Sequence, residues 1–201
     1  TAKIEHLLRH RRLVPDLARQ GCLFVVSAVE SLSDEVLRRL AKGHTRADVI
    51  EAVAILDEAA VAMRPSLLPF TPWSTLGDYL ALIEFVEEHG WIECVDPVQL
   101  AIRLLVPKGS LLCDDPAFAG CTFDENKLGY EWHHVDPRMD RLQLAVSSLV
   151  EQAARGEEEP HRTFERVREL AWGVAGRSAR PRPPAAGLRK PAPRLTEPWF
   201  C

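Results

Sequence analysis

The chain has 201 residues, enough for one ordinary domain or a domain with a tail, and its 46% hydrophobic and 27% charged composition suits a globular core. No apolar run approaches the roughly 18–20 residues that span a bilayer and no signal peptide is visible, so the expected compartment is the cytoplasm. The formal net charge of −4 hides an asymmetry: residues 177–194 carry Arg177, Arg180, Arg182, Arg189, Lys190 and Arg194 and no acid, and outside these and Glu197 stand 19 basic against 28 acidic residues. A body so acidic lacks the basic patch that replaces condensed counterions, which argues against specific nucleic-acid binding.

In chain order, Leu7, Leu8, Leu13 and Leu17 recur at near-helical spacing and predict a helix over 6–20. Cys22 to Ala28 is a continuous apolar run bounded by Gly21, as expected of a buried parallel strand, and it runs into Glu30-Ser31. Ser33 is placed to cap the next helix, Asp34 and Glu35 favour its positive end, and Gly43 stops it. Thr45 and Asp48 predict a capping box for a helix with Val49, Val53, Leu56 and Ala60 inward. A second strand follows over 61–70, closed by Pro69 and Pro72. Thr75 then opens a helix to about His89, with Leu76, Leu80, Ile83 and Val86 on one face. A third strand is expected over 98–106, ended by Pro107 and Gly109.

This alternation predicts a right-handed parallel α/β sheet. Three strands do not close a barrel, so residues 1–107 are expected to form half of one, with polar groups at the C-terminal ends of the strands, where such barrels place their chemistry. Residues 108–175 read as a loop (108–137) containing Tyr130, Trp132, His133 and His134, followed by helices over 138–155 and 160–173. Residues 176–201 form a Pro/Arg-rich tail, expected to be disordered or wrapped on a partner.

The five cysteines (Cys22, Cys94, Cys113, Cys121, Cys201) form no CxxC pair, which disfavours a disulfide framework or a zinc site. Arg103 lies in an apolar stretch, so its charge must be paired or face a polar interior. If 98–106 is a strand, Gln99 shares its face and the two make a polar stripe; the alternative is an Arg locked to an internal carboxylate. Glu30 either faces a ligand, caps the following helix or pairs with Lys42. Lys42 is stabilised at a helix end in any case.

Several segments resemble radical SAM (S-adenosylmethionine) proteins, in particular those ending in a Cys-Cys-Ala-Glu-Pro or Cys-selenocysteine-Ala-Glu-Pro tail. They are KIEH (3–6), FVVSAVES (24–31), KGHTRADV (42–49), LLPFTPW (67–73), DPVQLAIRLLVP (96–107), DPRMDRLQ (136–143) and LTEPWFC (195–201). The resemblance implies the C-terminal half of a partial (β/α) radical SAM barrel. It further implies SAM and a [4Fe–4S] cluster as cofactors, an electron donor such as flavodoxin or ferredoxin, and an unidentified substrate. On this basis Ser27, Glu30, Lys42, Gln99 and Arg103 are the candidate cofactor-binding residues, Lys3, Glu5 and His6 reach the site, Phe70 and Trp73 wall the adenine or plug the barrel, and Cys201 is a candidate redox residue. The family's Cys-x3-Cys-x2-Cys motif is absent from these residues, and the chain opens at Thr1. It therefore reads as a piece of a longer protein, inactive by itself, with a UGA codon after Cys201 expected. The alternatives are a conventional (β/α)8 acid–base enzyme, which needs strand-end carboxylate or His pairs, and an interaction module that docks through the basic Pro-rich tail.

Overall fold

The computed structural model describes residues 1–178. Its elements are α1 (Ile4–Arg9), α2 (Val14–Arg19), β1 (Phe24–Glu30), α3 (Asp34–Arg39), α4 (Arg46–Glu58), β2 (Ala62–Leu67), α5 (Leu76–Glu88), β3 (Thr122–Asp124), β4 (Gly129–Glu131), α6 (Pro137–Arg155) and α7 (Pro160–Val174). The first helix expected from the leucine spacing is broken into α1, a 3-10 turn (Arg11–Leu13) and α2. Pro15 sits at the start of α2, where its missing N–H is harmless; inside a continuous helix it would leave a carbonyl one turn back unpaired.

β1 and β2 form a parallel pair in which Val25 faces Met63, Ser27 faces Pro65 and Ala28 faces Ser66. Val25, Ser27 and Val29 are buried on one face with Met63 and Leu67, while Phe24, Val26, Ala28 and Glu30 are half-buried on the other. The covered face packs on Val49, Ala52, Val53 and Leu56 of α4 and joins the core that holds Tyr79, Ile83 and Val86 of α5. The boxes at Thr45/Asp48 and Thr75/Asp78 cap α4 and α5, each satisfying two N-terminal donors. Ala60 is exposed with φ 55° beyond the end of α4, so the helix's inner stripe stops at Leu56.

The third strand expected over 98–106 is not one. Pro97 starts a 3-10 turn (Pro97–Leu100) behind Asp96, and pairing reduces to one parallel bridge, Phe70 with Arg103. There Phe70 N–H donates to Ile102 O (3.2 Å) and Leu104 N–H to Phe70 O (2.8 Å). The apolar run that suggested a strand is divided: Leu100 and Ala101 join the main core, while Leu104 and Val106 wall a second small core with Phe118 and Trp132 under the 108–137 segment. That segment holds the antiparallel β3–β4 hairpin. Gly129 lets the hairpin lie directly on Leu105, since a Cβ there would meet Leu105 Cδ1 at 2.4 Å.

α6 and α7 pack together about a four-residue turn (156–159). Trp172, Val167 and Phe164 of α7 are buried, and α7 also meets α5. Arg168 Nε lies 3.3 Å from Glu87 Oε2 of α5, with side chains 6% and 7% exposed, and Arg168 Nη1 donates to Glu165 at 2.7 Å. Among the described residues no helix is long and apolar enough to cross a membrane. The tail expectations fall on residues 179–201, outside the described residues. Removing one partner of the Glu87–Arg168 pair leaves a buried charge uncompensated, so Arg168→Ala is expected to lower unfolding free energy by about 3–5 kcal/mol. Urea titration should show a much smaller loss for the double change Glu87→Leu/Arg168→Met.

Candidate functional site

The carboxyl end of β1 is built by a break in the strand. The register with β2 shifts between Ala28 and Glu30, and Glu30 takes a left-handed backbone with φ 63°. Its carbonyl accepts Leu68 N–H at 2.7 Å, and Ser31 N–H folds back to Val29 O at 2.8 Å. A non-glycine residue in this region costs about 1–2 kcal/mol, and such strain concentrates at functional positions. The kink sends the Glu30 carboxylate toward Lys42, whose Nζ lies 3.1 Å from Oε1, the two side chains being 20% and 24% exposed. Lys42 leaves α3 with its N–H bonded to Leu37 O, and Gly43 (φ 71°) follows, against Glu5. Glu5 lies 3.8 Å from Lys3 and 3.4 Å from His6, which places all three beside this rim.

Ser27, Gln99 and Arg103 go elsewhere. Ser27 is fully buried on the helix-covered face, its hydroxyl without a partner among the described residues. It stands an odd number of residues from Glu30, so alternation turns the two side chains to opposite faces. Gln99 lies in the 3-10 turn and its Oε1 accepts the Leu67 N–H at 2.9 Å, terminating β2. Arg103 shares the face of Phe70, which is buried in the helix-side core against Tyr79, so the guanidinium points to α6 and not to the rim. The polar stripe expected of Gln99 and Arg103 is therefore absent, because the two residues are not on one strand.

Arg103 is instead the locked arginine of the alternative. Nη1 donates to Asp140 Oδ1 (2.7 Å), Nη2 donates to Trp132 O (2.5 Å), and the guanidinium carbon stacks 3.5 Å from the Trp132 ring centroid. Asp140 also accepts His134 N–H at 3.1 Å. The His134 ring accepts Asp136 N–H at Nδ1 (2.9 Å) and bonds Ser74 O through Nε2 (2.7 Å), a pattern that places its proton on Nε2. His133 is solvent-exposed, and its Nδ1 lies 3.7 Å from Asp140 Oδ2 at the edge of this network. Beside this network opens a cavity of about 420 Å³ lined by Arg103, Leu105, Tyr130, Trp132, Asp140 and Leu144. Asp140 is the residue that sequence reasoning missed; its place in the first turn of a helix after Asp136-Pro137 carried no signal of a partner 37 positions away.

The segment after β2 closes the same end of the sheet. Thr71 and Ser74 bond each other through their hydroxyls at 2.7 Å, and Trp73 meets Phe118 edge-on at 5.9 Å. Arg39 of α3 reaches Asp115 at 3.0 Å and lies over the Trp73 ring, tying the 108–121 loop to α3. The Ala117 N–H and the Arg39 guanidinium hold the Asp115 carboxyl below its ordinary 3.8. Phe70 packs on Tyr79 at 4.9 Å, a core plug. Cys201 lies outside the described residues.

This α/β arrangement is one found in a radical SAM enzyme. The chain superposes on a cobalamin-dependent S-adenosylmethionine radical enzyme, OxsB, determined with aqua-cobalamin bound, with a TM-score of 0.61 and 12% identity, covering 85% of this chain and 34% of that chain. It thus spans about a third of that enzyme, and the likeness is one of fold. No family model matches the chain, and no curated protein matches it. Among the described residues no group of three or more His, Cys, Asp or Glu side chains is placed to hold a metal ion, and none of Cys22, Cys94, Cys113 and Cys121 is disulfide-bonded. These residues therefore do not fit an iron–sulfur cluster, whereas the kinked strand end with its half-exposed carboxylate suits the amine or hydroxyls of a polar ligand.

Two consequences are measurable. Because β-branched residues resist positive φ, Glu30→Val should melt below Glu30→Gly, by about 2–4 °C for each kcal/mol of strain. The depressed Asp115 group contributes fully above its unfolded value near 3.8 and loses that contribution as pH falls through its lower folded value. Hydrogen exchange of residues 108–121 should therefore rise on acidification below pH 4, and Asp115→Asn should show the raised exchange already at neutral pH.

Proposed function

We propose that this chain is part of a radical SAM enzyme, kin to the proteins with Cys-Cys-Ala-Glu-Pro or Cys-selenocysteine-Ala-Glu-Pro tails, and that the rim at the end of β1 receives the polar end of SAM. The observation that carries the proposal is Glu30: a carboxylate on a strained strand end, on a fold shared with a radical SAM enzyme. Glu30 would accept hydrogen bonds from the ligand's ammonium or ribose hydroxyls, interactions worth about 1.5–3 kcal/mol when one partner is charged. Lys42 would hold the carboxylate aimed, and the small Ala28 and Ser66 side chains on the half-buried face would leave room beside it, while Phe24 and Arg64 fill the far end of that face. A [4Fe–4S] cluster would have to be held by ligands other than residues 1–178, and it would supply the electron for reductive cleavage of SAM. Flavodoxin or ferredoxin is the proposed electron donor, and the substrate is unassigned. A conventional acid–base enzyme is less well supported, since the strand-end carboxylate is paired with an amine and not with a second carboxylate.

The test is to extend the reading frame in both directions, produce the whole gene product without oxygen, reconstitute it with iron and sulfide, and follow 5′-deoxyadenosine release from SAM under reduction. Release, with Glu30→Gln weakening SAM binding about tenfold at unchanged melting temperature, is expected from the loss of one charge-assisted contact. A frame with no Cys-x3-Cys-x2-Cys segment, or equal SAM affinity in Glu30→Gln, overturns it.

A further inference from the structure

The cavity beside Arg103 has no part in the rim chemistry, and its mouth is unusual. Leu105 and Leu144, which line it, are 58% and 68% exposed, and Leu128 of the adjoining hairpin is 68% exposed. Exposed leucines grouped around a concavity mark a surface that something covers. The charges in the cavity are compensated within it, Arg103 by Asp140 and Lys127 by Glu131, so a small charged ligand finds no unpaired counter-ion there. An apolar anchor is what the site would accept.

The chain carries such an anchor. Residues 179–201 contain two aromatics, the adjacent Trp199 and Phe200, preceded by Pro198. Their five basic side chains against the single acid Glu197 oppose the acidic remainder of the chain. The point of departure also fits. α6 and α7 pack against each other about a four-residue turn, as antiparallel neighbours do. At about 1.5 Å per residue, the end of α7 returns to the level of Asp140 and Gln143, on the cavity wall. The 21 residues that follow Ser178, up to Trp199, reach about 70 Å when extended, far more than is needed.

We propose that the apolar cavity between Leu105, Tyr130 and Leu144 is the docking site of the chain's own Pro198-Trp199-Phe200 segment. An intramolecular anchor of this kind acts at a high effective concentration and needs only modest intrinsic affinity.

The test uses the full chain with Trp199→Ala and Phe200→Ala together, which vacates the cavity, and a fluorescein-labelled synthetic peptide of residues 190–201 kept reduced. Anisotropy should show saturable binding to the vacated chain, at least tenfold weaker binding to the unaltered chain, whose own segment competes, and at least tenfold weaker binding after Leu144→Arg is added to the vacated chain. Leu144 is exposed, and an unchanged melting temperature will verify that its substitution acts only at the surface. No binding to the vacated chain, equal binding to the unaltered one, or indifference to Leu144→Arg each overturns the proposal. If light scattering shows that Leu144→Arg splits a dimer while peptide binding stays unchanged, a second copy is the occupant and the proposal fails.

Discussion

The guanidinium of Arg103 sits where three pieces of chain that are remote in sequence meet. It belongs to the short bridge with Phe70, it bonds the carboxylate of Asp140 on α6, and it bonds the carbonyl of Trp132 while lying on that residue's ring. Each contact satisfies a group that burial would otherwise penalise. A strand reduced to one bridge has little hydrogen bonding of its own to keep it on the sheet. The clamp compensates by tying it to a helix and a hairpin, and the Trp132 indole adds a bond to Leu104 O at 2.8 Å. The helical extension is thereby fixed against the sheet, and the cavity beside Leu144 exists because these three pieces meet without filling the space between them.

The rim at Glu30 follows a different logic. A parallel strand that continued straight would carry residue 30 past the end of its partner; the bulge and the left-handed turn instead bend the chain over the sheet's end. The same bend lets Leu68 bond back to Glu30 and sets the carboxylate against Lys42, which arrives from the far end of α3. Backbone strain and a half-buried ion pair are thus concentrated on one residue, in the region where α/β folds gather their chemistry. Ser27, by contrast, is held in the dry layer between sheet and helices.

The order from β1 through α3, α4 and β2 to α5, and the helices α6 and α7, were legible in the residues, whereas the break between α1 and α2 and the β3–β4 hairpin were not, and Ser33 precedes α3 without a side-chain cap bond. Thr45 with Asp48 is a local signal, complete within four positions, and its box forms as the sequence predicts; Thr75 caps α5 as expected, and the structure adds its pairing with Asp78. The helical boundaries at Pro137 and Pro160 follow from a residue that starts helices and does not continue them. Ser27 and Glu30 stood together in the sequence as candidate ligand contacts, and it is the structure that buries the first and turns the second to the rim.

Arg103 and the run around it could not be read in this way. A largely apolar stretch of nine residues, seven of them apolar, reads as a strand whether it pairs in a sheet or walls a core, and only the partners decide. Pro97 diverted its start into a 3-10 turn, and the packing of Trp132 and Phe118 took up its end. What the sequence by itself determined was every feature whose free energy is settled by neighbours within a helical turn: caps, breaks and amphipathic faces. The tertiary structure alone decided the pairings of Arg103 with Asp140, Arg39 with Asp115 and Glu87 with Arg168, because a charge signals in sequence only that it needs a partner, and the fold determines which one comes within reach.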